Sequence, residues 1–231
     1  MIGIRAIFLA AGLTLAATAT AEDRLFLTGG EFADTAYYGY AGLVLPGPGR
    51  QGGKGLFQRY WVDGLGYEYD GAPGRIEADA WGAEAALGYG TSSAKGWASA
   101  SLGVRYTDTS LSPDDPKATA RGSQVGAKIQ FDGETEVAPA WRVGGIASYT
   151  TAQNGYWIRG RVMHRAVEST TGLGVEAVAN GNDEAESTSV GVVLELRPRA
   201  SRWSVGLKAG YRFQDDDDDS PYGGLDVGYG F

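Results

Sequence analysis

The sequence contains no cysteine and a single histidine, His164. Without thiols there is no disulfide to staple the fold and no thiolate to hold a soft metal, and one imidazole cannot build a histidine-rich metal centre. Long apolar runs are also missing after the first residues. No stretch there approaches the roughly 18 consecutive apolar residues of a membrane helix, so a helical span is excluded. The segment "GPGRQGGKG" (47–55) supplies glycines and a lysine but no Gly-Lys-Ser/Thr and no following helical pattern, so it is not a phosphate loop. Nothing in the sequence calls for a cofactor.

What is abundant is glycine, with 37 residues, and aromatic side chains, at 11% of the chain. Glycine-rich interiors with aromatic rims recur in membrane β-barrels, although a secreted β-sandwich is a competing use of the same mixture. The opening "MIGIRAIFLAAGLTLAATATA" has one cation, Arg5, then a short apolar run and small residues up to Ala21. This pattern predicts a secretory signal over residues 1–21, cut before Glu22, and an exported chain over 22–231. The net charge of -8 argues against nucleic acid as a partner.

Period-two alternation dominates the remainder, as in strands whose two faces meet different surroundings. It predicts strands near 24–31, 37–45, 56–68, 76–90, 96–107, 118–132, 140–150, 155–165, 172–180, 186–197, 203–213 and 222–231. The breaks between them, such as "YDGAPG", "LSPDDPK" and "NGNDEAE", carry turn residues. No linker and no repeat of fixed length interrupts the series, which favours one domain over a propeller or solenoid.

Three segments decide between sandwich and membrane barrel. One face carries Trp81 and Tyr89, another Trp141 and Tyr149, a third Trp203 and Tyr211, with only apolar or small residues on the same face between them. At about 3.4 Å per residue and a tilt of about 40°, that spacing covers about 21 Å along the membrane normal, the height of an apolar band between aromatic girdles. The opposite faces hold Lys208 and Arg212 in one segment and Gln124, Lys128 and Gln130 in another. Lysine or arginine facing lipid at the midplane would cost about 2–4 kcal/mol, so these faces point into a lumen. The expected fold is all-β: an antiparallel transmembrane barrel of about 12 strands, with 10 as the alternative, in the outer membrane of a Gram-negative bacterium. Lipids of that membrane would be its surroundings. The last strand alternates Leu225, Val227, Tyr229 and Phe231 with Asp226, Gly228 and Gly230. Tyr229 and Phe231 resemble the aromatic C-terminal signal read by the barrel assembly machinery.

The stretches "QRYWVDGLGYEYD" (58–70), "LSPDDP" (111–116) and "GYWIRGRVMHR" (155–165) resemble, in this order and spacing, the bacterial cellulose biosynthesis protein BcsS family. The resemblance implies an exported, outer-membrane protein associated with cellulose, an exopolysaccharide, and with other components of its synthesis. It brings no catalytic residues, so it implies a pathway and not a mechanism, and the expected role is non-catalytic.

In the same stretches Arg59 and Asp63 share a face with Trp61, and Arg159 and Arg161 share one with Trp157. Aromatic faces suit the C–H faces of sugar rings and charged groups suit their hydroxyls, so these six residues are the candidate glucan-binding set. The same residues also serve simply as lumen filling, with arginine over tryptophan as a favourable pair. Two other functions remain open: a small passive channel unrelated to cellulose, and an outer-membrane lipid hydrolase using His164. No Gly-x-Ser-x-Gly accompanies that histidine. The run Asp215–Asp219 lacks the spaced ligands and central glycine of a calcium loop, so no metal site is assigned to it.

Overall fold

The computed structural model describes residues 24–71, 74–166, 169–198, 201–214 and 219–231; the expected signal at 1–21 and most of the aspartate run, Asp215 to Asp218, lie outside them. Twelve strands form one closed antiparallel barrel in which each strand pairs with its sequence neighbours and the first with the last. They are β1 (Leu25–Phe32), β2 (Tyr37–Pro46), β3 (Gly55–Gly71), β4 (Gly74–Ser93), β5 (Gly96–Ser112), β6 (Gly122–Ala138), β7 (Trp141–Thr150), β8 (Tyr156–His164), β9 (Thr171–Gly181), β10 (Glu186–Leu196), β11 (Trp203–Gln214) and β12 (Ser220–Gly230). The alternative of 10 strands is thereby corrected to 12. Closure is what lipid demands, because an open edge would leave a row of backbone groups unpaired where no water can satisfy them.

We term the rim holding Leu25 and Gly230, which pair with each other, the terminal rim, and the opposite one the distal rim. Alternation sets two faces throughout. On β4 the even positions Ile76 to Ala86 are buried or nearly so, whereas Trp81, Leu87 and Tyr89 are exposed. The outward face of β5 and β6 is apolar, with Leu102, Val104, Val125, Ile129 and Phe131 all exposed.

The strand boundaries depart from expectation mainly in β3 to β6. β3 and β4 pair through to Gly71 and Gly74, past the end of their neighbours. That extension is held by Tyr69, Ile76 and Ala78, buried together with Tyr67 and Leu111. β6 starts at Gly122 and runs to Ala138, whereas the alternation suggests 118–132. Residues 113–121 instead form a strap inside the distal mouth, where Ala120 is fully buried. The Thr119 backbone N–H and hydroxyl both donate to Glu184 in the β9–β10 turn. Gln153, in the short 3-10 turn Ala152–Asn154 between β7 and β8, donates to the Ala120 carbonyl at 2.9 Å. Asn182 also donates to the Tyr67 hydroxyl at 3.4 Å, a contact between the β9–β10 turn and a strand on the other side of the ring. The distal mouth is therefore crossed by side-chain and strap contacts from several directions.

Candidate functional site: the charged lumen

Within the lumen, charges are arranged as pairs between strands. Arg59 on β3 donates to Glu84 on β4, and Lys128 on β6 reaches the other oxygen of the same carboxylate at 2.6 Å. Arg105 on β5 grips Asp63 on β3 through two parallel bonds of 2.7 Å each, the bidentate geometry that makes arginine–carboxylate pairs strong. On the other side Arg161 on β8 joins Glu176 on β9 at 2.7 Å and Asp226 on β12 at 3.0 Å. Lys208 on β11 binds Glu31 on β1 at 2.5 Å and approaches Asp226 at 3.4 Å. The Arg161–Asp226 bridge spans strands that are not neighbours, so it crosses part of the lumen.

Aromatic residues line the same level. Tyr40 on β2 stacks on Trp61 with ring centroids 4.7 Å apart and planes 11° apart, and it donates to Asp226 at 3.0 Å. The Trp61 indole donates weakly to the Tyr38 hydroxyl at 3.5 Å. Across the barrel Arg159 lies over the Trp157 ring at 5.3 Å.

All six candidate glucan-binding residues thus face inward, but they do not form one cluster. Arg59, Trp61 and Asp63 belong to the β3 side; Trp157, Arg159 and Arg161 belong to β8. Among the described residues the two groups connect through the Tyr40–Asp226–Arg161 chain. Arg59, Asp63 and Arg161 already hold opposite charges, which leaves Arg159 as the charged member of the set with no ion pair among the described residues. Sequence spacing identified the inward face but missed the partners Glu84, Arg105, Glu176 and Tyr40. Their strands show the same alternation, yet which strand supplies which partner depends on barrel stagger, which no single strand reveals.

The six aromatics expected at the membrane boundaries, Trp81, Tyr89, Trp141, Tyr149, Trp203 and Tyr211, all point outward with 42–52% of their surface exposed. Trp141 and Trp203 lie toward the terminal rim, paired with His164 and Tyr229, whereas Trp81 lies toward the distal rim beside Tyr106. Tyr229 stacks in turn on Phe231 at 6.0 Å, and Arg24 lies over the Phe231 ring. His164 is outward, and its register partners are Trp141 and Leu173, neither of which can polarise it for acid–base work. Among the described residues no group of histidine and carboxylate side chains is placed to hold a metal ion.

Residues 25–231, the whole barrel, match the family of cellulose biosynthesis protein BcsS. The chain belongs to this family. Curated proteins give no match. Among solved structures, the barrel resembles the translocator domain of the autotransporter NalP from Neisseria meningitidis, with a TM-score of 0.52 and 10% identity over 90% of this chain and 89% of that one. It also resembles the beta domain of the Bordetella autotransporter BrkA, with a TM-score of 0.51 and 10% identity over 92% of this chain and 100% of that one. LpxR from Salmonella typhimurium gives 0.50 and 9% over 90% and 100%. At such identities the likeness concerns the fold alone, and the fold is that of outer-membrane barrels.

Proposed function

We propose that this BcsS-family barrel resides in the outer membrane of a Gram-negative bacterium and assists cellulose biosynthesis, export or surface organisation without catalysing a step. The observation that carries this reading is the family match across the entire barrel, residues 25–231. The terminal rim would face the periplasm, where the cellulose-synthesis components reach the envelope, and the aromatic rims would sit at the lipid boundaries.

The lumen favours an accessory role over that of a sole exit pore. An ion pair crosses it at mid-height, and the strap and the Asn182–Tyr67 contact cross its distal mouth, so a polymer has no clear way through. The same obstruction counts against a passive channel. A lipid hydrolase would require His164 beside a nucleophile, and its neighbours are apolar or aromatic.

Deleting the gene and restoring it from a plasmid, with surface and secreted cellulose measured per cell, tests the proposal. The expected result is reduced or mislocalised cellulose on deletion and recovery on restoration. Unchanged amount and location of cellulose would overturn it.

A further inference from the structure

Three register rows on the β6–β7–β8 wall place complementary groups on either side of an uncharged floor. In the middle row Asp132 pairs with Ile146, and Ile146 with Arg159. In the row toward the distal rim Gln130 faces Ser148, and Ser148 faces Trp157. In the row toward the terminal rim Glu134 faces Gly144, and Gly144 faces Arg161. All these residues are on the inward parity. Since adjacent strands lie about 4.8 Å apart, the banks formed by β6 and β8 stand about 10 Å apart, with β7 as a floor of glycine, isoleucine and serine.

The two banks differ in chemistry. The β6 bank offers acceptors, and the β8 bank offers donors and one aromatic face. Asp132 accepts from Ser99 at 2.7 Å and Arg159 lies on Trp157, but the two form no ion pair with each other although an arginine can span that separation. The other inward charges at this height, including Glu31, Asp63, Glu84 and Glu176, are all paired. The trough is also open where the flanking walls are packed. Asp132, Ile146, Ser148, Trp157 and Arg159 all keep partial exposure, whereas Ser101 and Thr107 on β5 and Glu176 and Val178 on β9 are buried.

Toward the distal rim the trough ends under the 3-10 turn and the strap, where Thr150 and Ala152 are buried. Toward the terminal rim lies an indentation lined by Glu136, Arg142 and Arg165, where Arg142 bridges Glu134 at 2.6 Å and Glu195 at 3.1 Å. With the distal end covered, a chain reaching the trough from the terminal side would pass beside the Arg142 bridge.

We propose that the β6–β8 inner wall is a binding trough for a segment of a neutral, polyhydroxylated chain that enters from the terminal rim. A neutral polyol fits because each hydroxyl both donates and accepts, so one chain can satisfy the Asp132 bank and the Arg159 bank at once. A polyanion would meet the carboxylate of Asp132 and a polycation would meet Arg159, whereas Glu134 is already held by Arg142 and Arg161 by Glu176 and Asp226. Trp157 supplies the flat apolar face that a sugar ring covers. The trough and its preference for a neutral polyol follow from these rows; the choice of a β-glucan as the chain rests on the proposed role in cellulose production.

Cellohexaose binding to the purified full-length barrel in detergent, followed by calorimetry and tryptophan fluorescence, tests the trough directly. Wild type should bind it, and an oligogalacturonate of equal length should bind at least tenfold more weakly. Asp132→Asn and Arg159→Gln should each weaken cellohexaose at least tenfold. Ile146→Trp, which fills the floor, should abolish binding while the protein keeps its heat-modifiable gel mobility. Should Ile146→Trp leave the variant unfolded, Ser148→Phe, one row further along the floor, takes its place. Absence of cellohexaose binding to a folded barrel, or binding untouched by Asp132→Asn, Arg159→Gln and the floor substitution, would overturn the trough. Retained binding with unchanged cellulose in the deletion strain would instead overturn the cellular role and leave the trough standing.

Discussion

Gly42 and Trp61 face each other across the β2–β3 ladder, and a Cβ built on Gly42 would lie 2.1 Å from the nearest atom of the Trp61 ring. The glycine is what lets the indole lie flat against the wall and stack on Tyr40. Gly42→Val should force Trp61 out of that stack and cost roughly 1–3 kcal/mol by overpacking. Trp61→Ala should cost about 3–5 kcal/mol through the cavity, and in that background Gly42→Val should be nearly free. Denaturant unfolding in micelles of both single variants and the double variant measures the coupling. Additive effects would mean that the contact is not the reason for the glycine.

Glu84 holds two cations, Arg59 and Lys128, with its side chain only 1% exposed. Glu84→Gln leaves both buried charges without a counter-ion and should destabilise the barrel by about 3–5 kcal/mol. Lys128→Met, which removes one cation and leaves the Arg59–Glu84 pair, should cost clearly less. The order of the two unfolding midpoints is the readout, and equal midpoints would contradict the shared-carboxylate account.

The strap over the distal mouth depends on Glu184, which receives both donors of Thr119. Wild-type protein in planar bilayers should show little conductance. Glu184→Gln should raise it intermittently as the strap loosens, and removal of residues 114–120 should raise it further. A wild-type conductance equal to that of the strap deletion would show that the strap does not obstruct the lumen.

Phe231 contributes its ring to the Tyr229 stack and its backbone N–H to the Arg24 carbonyl at 3.0 Å, next to the seam where β1 meets β12. We propose that this aromatic seam is also what the assembly machinery engages. Phe231→Ala should lower the amount of heat-modifiable barrel in outer-membrane fractions several-fold, whereas a substitution in the exposed β5–β6 region such as Lys117→Ala should not. Equal amounts of both would remove Phe231 from that role.

Much of the barrel is legible strand by strand because lipid and lumen impose opposite chemistry on alternate residues. Trp203, Val205, Leu207 and Tyr211 against Ser204, Lys208 and Arg212 can be sorted by parity alone. β6 resisted this treatment for a physical reason. Ala118 and Ala120 look like strand residues but lie in the strap, Ala120 fully buried, while Glu134 and Glu136, past the expected end at 132, belong to the lumenal face of the strand. The inward direction of Arg59, Trp61, Trp157 and Arg159 was likewise readable. That Arg59 is occupied by Glu84 and Arg159 by no carboxylate among the described residues was not, since the difference arises from which strands the closed ring sets beside each other.

The strap has one more consequence. A cavity entered and left by the same opening exchanges its contents with a single compartment, so no concentration difference across the membrane can drive net movement through it. Occupancy of the trough then reports how much chain is present on the terminal side, and it settles at equilibrium with that side alone. Such a site retains or senses a polymer without setting its direction of travel, and any vectorial push must come from whatever elongates the chain.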